Sequence, residues 1–163
     1  MTKLTRRQGL ILAGAAGLSL SAPSLVRAQD GAVHEIEMLN RDTETGDAMV
    51  FGPDLVRAEV GDTIRFLATD RGHNTVSNRD MIPDGGTEWR GRINEELEVT
   101  IDVAGAYGYF CQPHISMGMV GLILVGDVSG NYDAVKEARQ RGRAAQRYED
   151  IFARADELLA AEA

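Results

Sequence analysis

The fold is decided by the stretch YGYFCQPHISMGMVGLILV, residues 107–125. Its two ends, residues 107–111 and 120–125, are rich in aromatic and branched apolar side chains, which favour β-strands. Between them, the segment 111–119 carries a thiol, an imidazole and two thioethers. The pattern predicts two strands joined by a loop that bears metal-binding groups.

Similar short runs recur along the chain and predict further strands at residues 33–38, 55–60, 63–68 and 97–103. Turn residues separate these runs. Several strands with short turns predict an all-β fold, a Greek-key sandwich or barrel. A longer segment, residues 70–91, interrupts the pattern with Gly, Pro, Asn and Asp and predicts a functional loop.

The end of the chain changes character. Residues 131–141 and 143–161 are rich in Ala, Glu, Arg and Leu at helical spacing, and in the second segment one face carries Ile151, Ala155, Leu158 and Leu159. We predict two helices packed on the sandwich, so that residues 131–163 form a helical C-terminal extension of a single domain spanning 29–163. A helix that binds a partner protein is the alternative.

The start of the chain resembles an export signal. Arg6 and Arg7 precede an apolar run, residues 9–20, and small residues follow before Gln29. The run has about 12 residues, whereas a membrane-spanning helix needs about 20, which argues against an anchor. We therefore predict that residues 1–28 are a cleaved, twin-arginine-like signal and that the protein is exported. Gly9 stands where twin-arginine signals usually carry a bulky apolar residue, so the general export route stays open.

The charge and the cysteine count restrict the function. The chain has 17 basic and 25 acidic residues, and loss of residues 1–28 leaves 13 and 25, a formal charge of −12. This balance argues against nucleic acid as a partner, because phosphate binding requires a basic surface. The single cysteine, Cys111, cannot form an internal disulfide, although exported proteins sit where disulfides are favoured. A lone exported thiol therefore needs another role.

A metal site provides that role. Cys111, His114 and Met119, at the spacing Cys-x2-His-x4-Met, bring together a thiolate, an imidazole and a thioether. These soft and borderline ligands favour copper over Mg, Ca or Mn. A blue-copper site needs one more imidazole, and the chain has only His34 and His73 left. His34 begins a predicted strand, whereas His73 lies in a turn that could meet the Cys111 loop. We therefore favour His73.

These residues resemble a known family. Gly72-His73-Asn74, the CQPH of residues 111–114 and the MGM of residues 117–119 are similar to the cupredoxins, specifically the pseudoazurins. Further similar stretches are MLN at 38–40, AMVF at 48–51, GDT at 61–63, DMIP at 80–83, INE at 93–95, GAY at 105–107 and VGD at 125–127. The resemblance runs from about His34 through the helical tail.

The resemblance implies one type 1 copper ion that cycles between Cu(II) and Cu(I). His73, Cys111 and His114 would be its equatorial ligands and Met119 its axial ligand. Met117 would not bind the metal, although amicyanin-like cupredoxins place the axial methionine at the position that Met117 occupies.

The resemblance also implies roles around the metal. Asn74 would give a backbone amide to the cysteine sulfur and tie the two ligand loops together. Pseudoazurins surround the copper end with lysines that dock acidic reductases, and here the corresponding positions are arginines: Arg41, Arg71, Arg79, Arg90 and Arg92. We expect a basic rim, with an ordinary solvated surface as the alternative. An apolar patch of Met49, Pro113, Ile115 and Met117 would surround the exposed edge of His114, with Ile115 where pseudoazurins often carry an aromatic residue.

The implied function is that of a periplasmic, monomeric carrier of single electrons in denitrification. It would donate to copper nitrite reductase or nitrous oxide reductase and receive electrons from a c-type cytochrome or a membrane complex. Catalysis is not expected, because three histidines in total cannot build a second copper centre. Neither nucleic-acid binding nor membrane insertion is expected. Periplasmic copper storage or delivery is the alternative, although carriers of that kind usually have methionine- or histidine-rich surfaces.

Overall fold

Eight β-strands form two four-stranded sheets in the computed structural model, which describes residues 31–162. The strands are β1 (Val33–Arg41), β2 (Ala48–Gly52), β3 (Leu55–Ala58), β4 (Thr63–Leu67), β5 (Val76–Ser77), β6 (Leu97–Thr100), β7 (Gly105–Phe110) and β8 (Val120–Val125). The predicted signal, residues 1–28, lies outside the described residues and stays a prediction.

The two sheets pack face to face. The first has the order β2-β1-β4-β6 and the second β3-β8-β7-β5. The pairs β1–β4 and β3–β8 are parallel, and the other neighbours are antiparallel. The predicted all-β sandwich is therefore confirmed, and all six predicted strands are present within a few residues of their predicted ends.

Strand β8 shows why the sequence of residues 120–125 is apolar without interruption. Ile123 and Val125 pack between the two sheets, whereas Val120, Leu122 and Leu124 pack on the opposite face beneath the C-terminal helices. A strand covered on both faces has no solvent-facing positions and so loses the alternation of polar and apolar residues. The helices thus complete a second core layer over the sheet that carries Cys111.

Two strands were not predicted. Strand β2 has five residues and β5 only two, so neither shows a long enough alternation to be recognised. β5 lies inside the long loop predicted at residues 70–91, which also contains a short 3-10 helix, Arg79–Met81.

The two predicted helices are confirmed as α1 (Tyr132–Glu137) and α2 (Gly142–Glu162). The buried face of α2 consists of Ala144, Tyr148, Ile151, Phe152 and Ala155, and the predicted Leu158 and Leu159 pack half-buried at its edge. Arg147–Asp47 and Arg154–Asp54 ion pairs, both at 2.8 Å, join α2 to the sandwich. No helix among residues 31–162 is long and apolar enough to span a membrane.

The Asp62 carboxylate closes one end of the first sheet. It accepts hydrogen bonds from the backbone amides of Ala32 at 2.7 Å and Glu59 at 2.8 Å, and lies 2.8 Å from Nε2 of His34. Burial alone would raise the pKa of Asp62, but these donors outweigh burial and lower it. Because the folded-state pKa is lowered, these contacts stabilise the fold at neutral pH and are lost as the pH falls through that pKa.

We expect Asp62→Asn to lower the free energy of unfolding at pH 7 by about 1–3 kcal/mol, because an amide replaces a charged acceptor of buried bonds. The difference from the wild type should begin to shrink as the pH falls below about 3.8, the ordinary pKa of aspartate, and approaches the lowered pKa of Asp62. Urea unfolding from pH 7 to pH 3 measures both effects. Asp84→Asn, at an exposed loop position, is the control, and a difference between Asp62→Asn and the wild type that is independent of pH would contradict the prediction.

Candidate metal centre

Three ligand atoms converge at one end of the sandwich. Sγ of Cys111 lies 3.8 Å from Nδ1 of His73 and 3.6 Å from Nδ1 of His114, and the two nitrogens are 3.1 Å apart. A triangle of this size has a point about 2 Å from every corner, close to the metal–imidazole distance of about 2.0–2.1 Å and the metal–thiolate distance of about 2.3 Å. The three residues therefore fit a single metal ion, and the described chain offers no second such group of histidine, cysteine and acidic side chains.

The ligand loop folds back tightly between β7 and β8. The backbone amide of Cys111 donates to Met119 O at 3.0 Å, and the amides of Met117 and Met119 both donate to His114 O, at 2.9 and 3.2 Å. Gly118 has a φ of +88°, which glycine adopts without strain. A side chain there would also lie 3.1 Å from the carbonyl oxygen of Arg143 at the start of α2. The helical extension thus packs directly on this loop.

The orientation of His73 is set from β1. Its Nε2 donates to Oδ1 of Asn40 at 3.0 Å, which leaves Nδ1 unprotonated and facing Cys111 and His114. No functional role was predicted for Asn40. In the sequence, Asn40 was marked only by its place in the MLN stretch at residues 38–40, which is similar to the family. In the structure, this stretch lies in β1, where Met38 is buried.

Asn74 joins three segments around the cysteine. Its Oδ1 accepts from the backbone amide of Gln112 at 2.9 Å, and its Nδ2 donates to Gly91 O at 3.1 Å. This is the tie between the ligand loops that the family resemblance implied. The backbone amides of Asn74 and His114 also face the cysteine sulfur.

Burial controls the protonation of the site. It raises the pKa of the Cys111 thiol, against the opposing effect of the amides of Asn74 and His114. Burial, followed by the nearby His114, lowers the pKa of His73, while Asp70 opposes the shift. His73 is thus held neutral, ready to bind a metal, whereas the thiolate needs a cation to be stable. A metal ion bound here would displace the cysteine proton.

The other candidate metal ligands, Met119, Met117 and His34, differ in their position relative to the three converging side chains. Met119 is fully buried beside Cys111 in the core, whereas the Met117 side chain is 40 % exposed. His34 lies beside Asp62 and is absent from the cluster, so the structure brings together His73, Cys111 and His114 as the sequence analysis favoured.

Comparison with known proteins gives the family. Residues 37–126 match the model of copper binding proteins of the plastocyanin/azurin family. A pseudoazurin of Paracoccus pantotrophus is 44 % identical over 138 residues, which cover 85 % of this chain and 90 % of that protein. The crystal structure of a pseudoazurin from Methylobacterium extorquens matches with a TM-score of 0.71 and 39 % identity, covering 76 % of this chain and 98 % of that one. A pseudoazurin structure from Hyphomicrobium denitrificans also has a TM-score of 0.71, at 38 % identity.

The chain belongs to the pseudoazurins. It is therefore a copper protein of the cupredoxin fold and an electron carrier, as the sequence analysis predicted. In this pseudoazurin the only partly exposed member of the cluster is His114, because His73 and Cys111 are fully buried. Solvent or a partner protein can therefore reach the cluster only at the His114 imidazole.

We expect Asn40→Ala to lower the affinity for copper by about 10–100-fold, because His73 loses the partner that fixes its tautomer and ring orientation. Competition with a Cu(I) chelator measures the affinity. Asn78→Ala is a matched control, since the Asn78 side chain bonds the amide of Asp80 and takes no part in the cluster. Equal affinities of the two variants would show that Asn40 does not position the ligand.

Proposed function

We propose that this pseudoazurin is a periplasmic carrier of single electrons, with copper held by His73, Cys111, His114 and Met119. The convergence of two imidazole nitrogens and a thiol sulfur in a buried pocket is the observation that carries the proposal. Copper, when bound, supplies the one-electron couple. The protein supplies a ligand set that is already assembled in the fold, so a change of oxidation state needs little movement of these side chains.

Burial supports Met119 as the axial ligand. Its side chain is fully enclosed in the same core cluster as Cys111, and its backbone bonds both Cys111 and His114. Met117 points instead to the surface, where an apolar side chain suits contact with a partner protein better than metal binding.

We expect Met119→Leu to change the visible spectrum and to raise the reduction potential by about 60 mV or more, a tenfold change in the one-electron equilibrium. The potential should rise because a lost thioether no longer stabilises the oxidised ion. Met117→Leu, the matched control, should leave both properties close to wild type. The reverse pattern in absorption spectra and redox titrations would assign the axial position to Met117 instead.

His114 is the ligand that a redox partner can approach. It is half-buried, and Pro113, Ser116 and Met117 beside it are exposed. Met49 and Ile115, which the sequence analysis placed in the same apolar patch, are only half-buried, and Ile115 packs towards the helical layer. We therefore propose a smaller patch centred on Pro113 and Met117, through which electrons pass at the His114 edge.

The predicted arginine rim contains both paired and unpaired charges. Arg79 bonds Glu88 at 2.7 Å, and Arg92 lies 3.9 Å from Glu95, so acids offset part of their charge. Arg71 forms no ion pair among the described residues and stands two positions before His73. Arg71 thus carries a charge, close in the chain to a metal ligand, that can attract an acidic partner.

A second group of arginines lies in the helical extension, which packs on the ligand loop. Arg139, Arg141 and Arg143 occupy the connection between α1 and α2 and the start of α2, and all three are exposed. The backbone of Arg143 packs against Gly118 of the ligand loop. Arg143 thus adds a basic residue beside the ligand loop to those of the rim, which suits the steering of an acidic protein surface.

The physiological partners follow by family resemblance. We propose a copper nitrite reductase or nitrous oxide reductase as the acceptor, a c-type cytochrome or membrane complex as the donor, and action as a monomer. Copper storage or delivery is the competing function, and the observation against it is the enclosed thiol ligand: a buried cysteine between two histidines suits retention of the metal better than its release.

We expect the reduced protein to transfer electrons to copper nitrite reductase with a rate constant that falls about tenfold or more between low and physiological ionic strength. At low salt, Arg71→Gln and Arg143→Gln should each slow the bimolecular step by about two- to fivefold, because each removes steering charge. Stopped-flow mixing at several protein concentrations measures the step. Arg65→Gln, which lies between Glu35 and Glu98 on the first sheet, is the control. Absence of transfer, or release of copper on reduction, would favour the storage function.

A further inference from the structure

Arg90 makes an unusual contact for an exposed arginine. Its Nη2 donates to Oε1 of Gln112 at 2.6 Å, and Gln112 is the residue that directly follows Cys111. Arg90 forms no ion pair with any described residue, whereas its neighbours Arg79 and Arg92 each face a glutamate. The guanidinium is thus directed to a neutral amide beside the cysteine instead of a carboxylate.

This contact closes a ring of hydrogen bonds. The backbone amide of Gln112 donates to Oδ1 of Asn74 at 2.9 Å, and Nδ2 of Asn74 donates to the carbonyl oxygen of Gly91 at 3.1 Å. Gly91 follows Arg90 in the chain, so the Arg90 side chain returns to Gln112 and completes the ring. Gly91 is itself held by its amide, which donates to Thr75 O at 2.8 Å. The ring joins the cysteine loop, the histidine loop and the segment before β6.

We propose that Arg90 is a positioning residue for the cysteine ligand, which acts through Gln112 and Asn74 to set the reduction potential of the copper. The proposal rests on the proposed function, since it takes Cys111 to be a copper ligand. Arg90 itself need not touch the metal or a partner for this effect.

Arg90 would change the reduction potential through the hydrogen bonds that the Cys111 sulfur accepts. Asn74 is held from both sides, by the Gln112 amide on its oxygen and by Gly91 on its nitrogen, while its own backbone amide faces the sulfur of Cys111. Hydrogen bonds to a cysteinate sulfur withdraw electron density from it and so tune the potential of blue-copper sites. If Arg90 releases Gln112, the ring opens and the amide–sulfur bonds weaken. The sulfur then donates more strongly and favours the oxidised ion.

Gln112→Met tests the ring without changing the charge. We expect its reduction potential to fall by about 30 mV, a threefold change in the one-electron equilibrium. Arg90→Met should lower the potential at least as far. The double variant should fall no further than Arg90→Met alone, because both changes open the same ring and their effects are then not additive. Arg90→Lys, which keeps a donor and the charge, should recover part of the loss.

Arg92→Met is the matched control for charge. It removes an exposed arginine two positions away that takes no part in the ring. Redox titration followed at the charge-transfer band measures all the potentials, and unfolding of the copper-free variants checks that each one folds. Arg92→Met should shift the potential by less than half as much as Gln112→Met.

Two results would overturn the proposal: an unchanged potential in Gln112→Met, or additive shifts in the double variant. Either result leaves the proposed function intact, provided that the wild type shows a reversible one-electron couple. If instead the copper-loaded wild type shows no such couple, the proposed function fails before the ring is tested. The two failures are therefore distinguishable in the same titration.

Discussion

The convergence of two imidazole nitrogens on one cysteine sulfur is the constraint on which the rest of this protein depends. The three atoms lie 3.1 to 3.8 Å apart, and two of the three side chains are fully buried. Burial removes water that could compensate for badly placed donors, so the surrounding protein has to hold each group in position. It also raises the pKa of the Cys111 thiol, and a bound cation offsets that effect. The geometry and the electrostatics of the pocket thus both favour a resident metal.

The fold meets this constraint from several directions. Strand β1 orients His73 through Asn40, and the antiparallel pair β7–β8 fixes both ends of the ligand loop. Asn74 joins the cysteine and histidine loops, while the start of α2 packs against Gly118 from outside. A carrier of single electrons benefits from such support, because ligands that do not move cost little reorganisation when the charge of the metal changes.

Much of this was predictable from sequence, and the limits have physical causes. Cys111 and His114 are close in the chain, and a lone thiol is unusual in a protein that is predicted to be exported, so local spacing identified both. His73 is far from Cys111 in the sequence. It was preferred to His34 because His73 lies in a predicted turn, whereas His34 begins a predicted strand. Strands β2 and β5 are too short to show a period. Asn40 and Gln112 act through contacts between separate segments, which no local pattern reveals.

X-ray absorption at the copper edge, recorded on the oxidised and the reduced protein, shows whether His73, Cys111 and His114 hold the copper in both oxidation states. We expect one copper per chain with two nitrogen ligands at about 2.0 Å and one sulfur ligand at about 2.2–2.3 Å, close to the protein–metal distances typical of such donors. Both states should keep this set, with distances that change by about 0.1 Å or less. A coordination shell without a short copper–sulfur bond, or loss of a ligand on reduction, would show that these three residues do not form the electron-transfer site.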